Sequence, residues 1–243
     1  MFSSMPRSRQ RFGRRLPTAL VAAGSLAALT FGSASPAAAD TVVASWEFDQ
    51  VVGVVPDLLP GANHLTLSGD WSAVPGAGAD LSAIRFEGAP ATAATTDEAG
   101  QNFNPGEAPF ALTVQFRVTD DVTWGSPNVA QHGRFNNPGQ IKMQLKSGGR
   151  VGCRIKGDRG AYLITHPTAD VNDNEWHTVS CARDLSGTDV SVTVDGVAFS
   201  PDGSEDPGSI VLPNSPMRFA QKDGSSSRSD QFVGDIGFAS YSL

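Results

Sequence analysis

Between residues 110 and 200 the chain repeatedly alternates apolar with polar residues, and a period of two admits strands that bury one face and wet the other. Leu112, Val114, Phe116 and Val118 alternate with Thr113, Gln115 and Arg117. Ile141, Met143 and Leu145 alternate with Gln140, Lys142 and Gln144. Val151, Cys153 and Ile155 alternate with Gly152, Arg154 and Lys156, and Val190, Val192 and Val194 with Ser191 and Thr193. Turn formers separate these runs: Asn136-Asn137-Pro138-Gly139, Ser147-Gly148-Gly149 and Asp195-Gly196. Gly, Asn and Asp tolerate the backbone angles of tight reversals, so 140–145 with 151–156, and 190–194 with 197–199, are expected to be hairpins. No segment of useful length has helical periodicity, and no repeat of fixed period is present. Loops are expected at 72–80, 88–108, 201–209 and 224–229, which are rich in Gly, Pro, Ala, Asp and Ser. Many short strands with turn punctuation give an all-β sandwich or jelly roll.

The N-terminus differs in kind. Arg7, Arg9, Arg11, Arg14 and Arg15 precede an apolar run, Ala19 to Phe31, and then Ala37-Ala38-Ala39. That is the layout of a secretory signal over residues 1–39, with Asp40 as the new N-terminus and an extracellular destination. The run is too short to cross a bilayer, which takes about 20 apolar residues, and no later segment is apolar enough to span. Cleavage removes five of 18 basic residues and none of 25 acids, leaving 13 against 25, a net of −12. Such a balance argues against nucleic acid, whose binders carry a basic footprint. Residues 40–243 fit one domain. Cys153 and Cys181 are the only cysteines, and an isolated pair in an oxidising compartment reads as a disulfide.

Several segments, in order, resemble one family. Ala44-Ser45-Trp46-Glu47-Phe48-Asp49 resembles the opening strand of laminin-G-like domains, and Asn63-His64-Leu65-Thr66-Leu67 falls at their next short strand. Phe110 to Phe116 resembles the F-T-V-x-x-W strand, with Phe116 at the last aromatic position. Glu175-Trp176-His177-Thr178-Val179 resembles the W-H-x-V strand start. Val192-Thr193-Val194-Asp195-Gly196 resembles the Y-V-D-G hairpin without its Tyr, and Phe232-Val233-Gly234-Asp235-Ile236 the closing F-x-G-x-I strand. The resemblance covers 42–243 and is to the laminin-G-like, concanavalin A-like lectin and glucanase superfamily. It implies a two-sheet antiparallel jelly-roll sandwich with a concave front sheet. It leaves the function open, because this fold carries lectins, adhesion modules, glycosidases and lyases.

Catalysis on such a sheet needs particular residues. Glycoside hydrolysis usually takes two carboxylates flanking the bond; the glucanase run E-x-D-x-x-E is missing, and Glu47-x-Asp49 is the candidate pair with same-face spacing on an expected strand. A lyase would use a His or Tyr base, for which His132 and Tyr162, flanking a basic region, are the candidates. His177 reads as structural. Trp46 and Trp176 read as core, while Trp71 and Trp124 fall in loop-like stretches. The resemblance also implies calcium in some members; Asp170-Val171-Asn172-Asp173-Asn174-Glu175 is the densest run of oxygen donors, with Asp49 and Asp57 as further candidates, and no ligand set is assigned.

Charge gives the most specific expectation. Arg134, Lys142, Lys146, Arg150, Arg154, Lys156 and Arg159 lie within 26 residues with Asp158 as the single acid, a window of +6 in a remainder of −18. Alternation puts Gln140, Lys142 and Gln144 on one face of their strand and Arg154 and Lys156 on one face of the next. Pairing the two strands makes one patch, with His132 and Tyr162 at its edges. Cations suit carboxylate or sulfate, and amides suit hydroxyls. The expectation is a secreted, non-catalytic domain binding a glycan, in particular an acidic one. The alternatives are a small polysaccharide-degrading enzyme on the same fold and an adhesion module recognising protein.

Overall fold

A computed structural model describes residues 41–49, 52–60, 63–78, 81–88, 90–95, 103–119, 125–184, 189–201, 206–222 and 230–243. The expected signal at 1–39, Asp40 and Trp124 lie outside the described residues. Sixteen strands follow in order: β1 Val42–Glu47, β2 Val54–Val55, β3 Leu65–Ser68, β4 Trp71–Pro75, β5 Ser82–Phe86, β6 Thr92–Ala94, β7 Phe110–Val118, β8 Asn128–His132, β9 Gln140–Lys146, β10 Arg150–Lys156, β11 Ala161–Thr165, β12 Trp176–Arg183, β13 Val190–Val194, β14 Val197–Phe199, β15 Arg218–Phe219 and β16 Gly234–Ser242. Among the described residues no helix is long and apolar enough to cross a membrane.

The strands form two antiparallel sheets. The back sheet runs β14-β13-β12-β7-β16-β5-β4, and β1 pairs with the C-terminal half of β16 beyond β5. The front sheet runs β11-β10-β9-β8-β15-β6-β3-β2. This is the expected jelly-roll sandwich. Both expected hairpins form: β9 pairs with β10 around Ser147-Gly148-Gly149, and β13 with β14 around Asp195-Gly196. Asp195 and Gly196 both take positive φ, 49° and 81°, as a two-residue reversal between right-twisted strands requires. Two stretches read as loops contain strands: β4 lies across the start of 72–80, and β6 within 88–108. Their Ala- and Pro-rich composition masks pairing that only neighbouring strands reveal.

Alternation packs the interior. Inward residues of β9 and β10 (Ile141, Met143, Leu145, Val151, Cys153, Ile155) face inward residues of the back sheet such as Leu112, Val114, Val179 and Val192, all buried. An aromatic cluster fills one end: Trp46 meets Phe219 at 5.5 Å and Phe103 at 6.1 Å between ring centroids. Its indole N–H donates to the Asn63 carbonyl at 2.7 Å, satisfying the one polar atom of a fully buried ring. Trp176 departs from expectation. Its parity is opposite to that of Val179 and Cys181, so it faces outward, with the Arg117 guanidinium 5.2 Å from its ring. Arg117 in turn shares Asp235, whose side chain is fully buried, with Arg85. Cys153 and Cys181 are joined, with Cα atoms 5.6 Å apart, and tie β10 of the front sheet to β12 of the back sheet.

Candidate functional site

The β9–β10 register sets Lys142 opposite Arg154, Gln140 opposite Lys156 and Gln144 opposite Gly152. One outward row therefore carries the residues that alternation had grouped. The row continues from Lys142 to Gln131 on β8 and from Gln131 to Arg218 on β15. Over this face lies a groove of about 400 Å³ lined by Ser126, Phe135, Gln140, Lys142, Gln144, Lys146 and Arg154. Three lining residues are cations, two are amides, and none is an acid.

The groove is short of partners for its own polar groups. Gln140 is buried, with its amide donating to the Gly133 carbonyl at 3.3 Å, but its Oε1 is without a hydrogen bond. A buried acceptor left this way costs roughly 1–3 kcal/mol. Burial pushes the Lys142 ammonium down to about 8; Asp230 opposes the shift, while Arg154, Lys222 and Lys146 add repulsion. Asp230 also bonds Lys222, so this carboxylate is shared. The positive charge in the groove is therefore incompletely balanced.

Several expected members lie elsewhere. His132 is fully buried and faces the interior: it pairs with Ile141, its ring is 6.0 Å from Phe103, and its Nε2 contacts the Pro213 carbonyl at 3.1 Å. Desolvation holds its pKa down at about 4, so it is neutral at physiological pH. Tyr162 pairs with Ile155 and packs on the core, on the face opposite Arg154. His132 and Tyr162 thus do not edge the groove, and the base assigned to them in the lyase alternative is not presented there. His166 is buried and accepts the Ala169 N–H at 3.0 Å. Lys156 is on the expected face, but its ammonium donates to the Phe135 and Asn137 carbonyls at 2.7 and 2.6 Å. Arg159 leaves the basic group to pair with Asp206 and Glu107. Glu47 is exposed on β1 of the back sheet, with Asp49 beyond the strand end, so this pair stands apart from the groove.

In the acidic run 170–175, carboxylate oxygens are engaged within the protein. Asp170 Oδ1 accepts the Asn172 N–H, and Asp173 Oδ1 accepts the Glu175 N–H, each at 2.9 Å. Asp173 Oδ1 also meets His177 Nε2 at 2.9 Å, and Asp195 Oδ2 meets His177 Nδ1 at 2.7 Å. Asp57, another candidate, spends both oxygens on Ser45, Leu59 and Asn63. Among the described residues no group of three His, Cys, Asp or Glu side chains converges as a metal site. His177 is structural, as read. Burial disfavours its charge, yet the two carboxylates prevail and raise its pKa.

The two antiparallel sheets and their strand order make a jelly-roll fold of the kind found in laminin G domains. The laminin G domain family profile matches residues 129–239, less than half of the chain. It is similar to the binding domain of Paraclostridial Mosquitocidal Protein 1, with TM-score 0.63 and 18% identity over 83% of this chain and 49% of that one. It is similar also to domains LG4-5 of the mouse laminin alpha1 chain, with TM-score 0.50 and 18% identity over 66% and 40%. A structure of botulinum neurotoxin type C, whose cell entry depends on interaction with two ganglioside molecules, matches with TM-score 0.58 and 14% identity over 83% and 48%. The chain thus spans half or less of each of these solved chains. At such identities the likeness is one of fold. No curated protein matches the chain.

Proposed function

We propose that this is a secreted, non-catalytic, lectin-like domain whose front-sheet groove takes acidic glycans. One observation carries the reading: Lys142, Lys146 and Arg154 line a single groove with Gln140 and Gln144 and no acid, in a chain that is otherwise strongly acidic. Arg154 supplies the planar fork that matches a carboxylate or sulfate. The Gln140 and Gln144 amides in the lining suit hydroxyls, which a bare anion lacks. Fold-level support comes from neighbours described with gangliosides and, for a botulinum neurotoxin DC binding domain, with SialylT. Secretion rests on the layout of residues 1–39.

The test compares uronate-rich and sulfated glycans with neutral glucans, using purified protein and a Lys142→Ala, Arg154→Ala double variant. Acidic glycans should bind, the variant should lose them, and affinity should fall with salt because the cations are partly exposed to screening. Equal binding of neutral glucans, or an unaffected variant, defeats the proposal. N-terminal sequencing of exported protein should begin at Asp40; material starting at Met1 counts against export.

A further inference from the structure

We propose that Phe135 is a ring-stacking platform, held in place by Lys156, that makes the groove select acids borne on a sugar ring over acids borne on a chain without one. This rests on the glycan reading above and narrows its ligand class. Phe135 is 67% exposed, yet it lines the groove. Its turn is anchored from below. Lys156 Nζ bonds the Phe135 and Asn137 carbonyls, while Gln131 and Gln140 both donate to the Gly133 carbonyl, Gln131 at 2.7 Å. Within the turn, the Arg134 N–H donates to Asn137 Oδ1 at 2.6 Å, and the Asn137 N–H to the Arg134 carbonyl at 3.0 Å. Gly133, at φ +74°, could not carry a side chain, since a Cβ there would lie 2.3 Å from the Gly139 carbonyl oxygen. A turn tied at so many points presents its aromatic ring in one place, which lowers the ordering cost of contact.

Two cations lie over that ring. Arg154 Cζ lies 5.6 Å and Lys156 Nζ 5.4 Å from the Phe135 centroid. A pyranose presents an apolar C–H face that can lie on an aromatic ring. An acid attached directly to such a sugar would then meet Arg154 within a bond or two of the stacked face. A linear polyanion engages the cations and gains nothing from the ring. The volume, about 400 Å³, lies near the small end of ligand sites, which span about 300–1,000 Å³ and hold small molecules rather than extended surfaces.

The experiment titrates purified wild type, Phe135→Ala, Phe135→Trp and Arg154→Ala with an oligogalacturonate and with inorganic polyphosphate, each at two salt concentrations. Phe135→Ala should weaken oligogalacturonate about tenfold, leave polyphosphate unchanged and keep the salt dependence of the wild type. Phe135→Trp should retain oligogalacturonate binding, and Arg154→Ala should weaken both ligands and flatten the salt dependence. Wild-type binding to oligogalacturonate that Phe135→Ala leaves intact overturns this inference alone, as does an equal loss for both probes. A wild type that binds no acidic glycan overturns the glycan reading and this one with it.

Discussion

Lys142 should cost the fold stability in return for its charge, and Lys142→Met exposes the trade. The ammonium titrates at about 8 in the fold instead of the ordinary 10.5. A depression of about 2.5 units corresponds to roughly 3.4 kcal/mol between charged and neutral forms. The side chain is half-buried, so solvent screening discounts this to about 2 kcal/mol. Methionine keeps the aliphatic stem against the sheet and removes the charge that Arg154, Lys146 and Lys222 repel. At neutral pH the variant should therefore be more stable by about 2 kcal/mol, a rise in Tm of about 4–8 °C for a domain of this size, while acidic-glycan binding falls. The sign with pH follows from linkage. Above 10.5 the lysine is neutral folded or unfolded and carries no penalty. As pH falls toward 8 the unfolded chain takes up a proton that the fold resists, and the penalty is complete below 8. Urea unfolding of both proteins across this range measures it. A variant no more stable than wild type at pH 7, or a gain that persists undiminished above pH 10.5, would refute the reasoning.

Three further predictions concern the scaffold. His177→Gln should be most destabilising between the ordinary Asp and His values of 3.8 and 6.5, because the raised His177 contribution fades as pH rises above 6.5 and the lowered Asp173 contribution fades as pH drops below 3.8; a pH-independent difference in urea midpoint contradicts the ion pair. Replacing Cys153 and Cys181 by Ala opens a link across a separation of 28 residues and should cost about 3–4 kcal/mol on the chain-entropy account, read by denaturant unfolding; two free thiols by mass spectrometry in the native protein would deny the bond itself. Asp235→Asn leaves Arg85 and Arg117 facing an uncharged amide and should cost about 2–3 kcal/mol, since both guanidiniums keep some solvent; an unchanged melting temperature would show the cluster to be ornamental.

The strands that formed the groove were legible because their alternation is clean: in β9 and β10 every second residue is apolar, and the Ser147-Gly148-Gly149 reversal fixes which positions meet. The sheet to which each strand belongs was not legible, since period two names a buried face without naming what covers it. Cys153 and Cys181 could be paired, yet nothing local said that the bond crosses between sheets. His132 and Tyr162 were misplaced for a related reason. Neither β8 nor β11 alternates plainly, so the faces of these side chains could not be read before Ile141 and Ile155 were known as their partners. Trp176 shows the opposite case: its outward face follows from the parity of Val179 and Cys181, a signal present in the sequence but outweighed by the size of the ring. Phe135 could have been noticed as a lone aromatic within the polar turn Arg134-Phe135-Asn136-Asn137. Its partnership with Lys156 could not, because those residues meet only when β10 folds back beside β9.

The disulfide has a consequence for β10 beyond its contribution to stability. A strand in a sheet can in principle slide along its neighbour, and a slip of a single residue turns every side chain to the other face. In β10 that error would be severe: Arg154 and Lys156 would enter the apolar interior while Val151, Cys153 and Ile155 came out into the groove. The Ser147-Gly148-Gly149 reversal opposes such a slip from one end only. Cys153 sits in the middle of the strand, immediately before Arg154, and its sulfur is covalently committed to a residue on the opposite layer. The bond thus acts as an indexing pin: only the alignment that buries position 153 is compatible with it, and that same alignment sends position 154 outward.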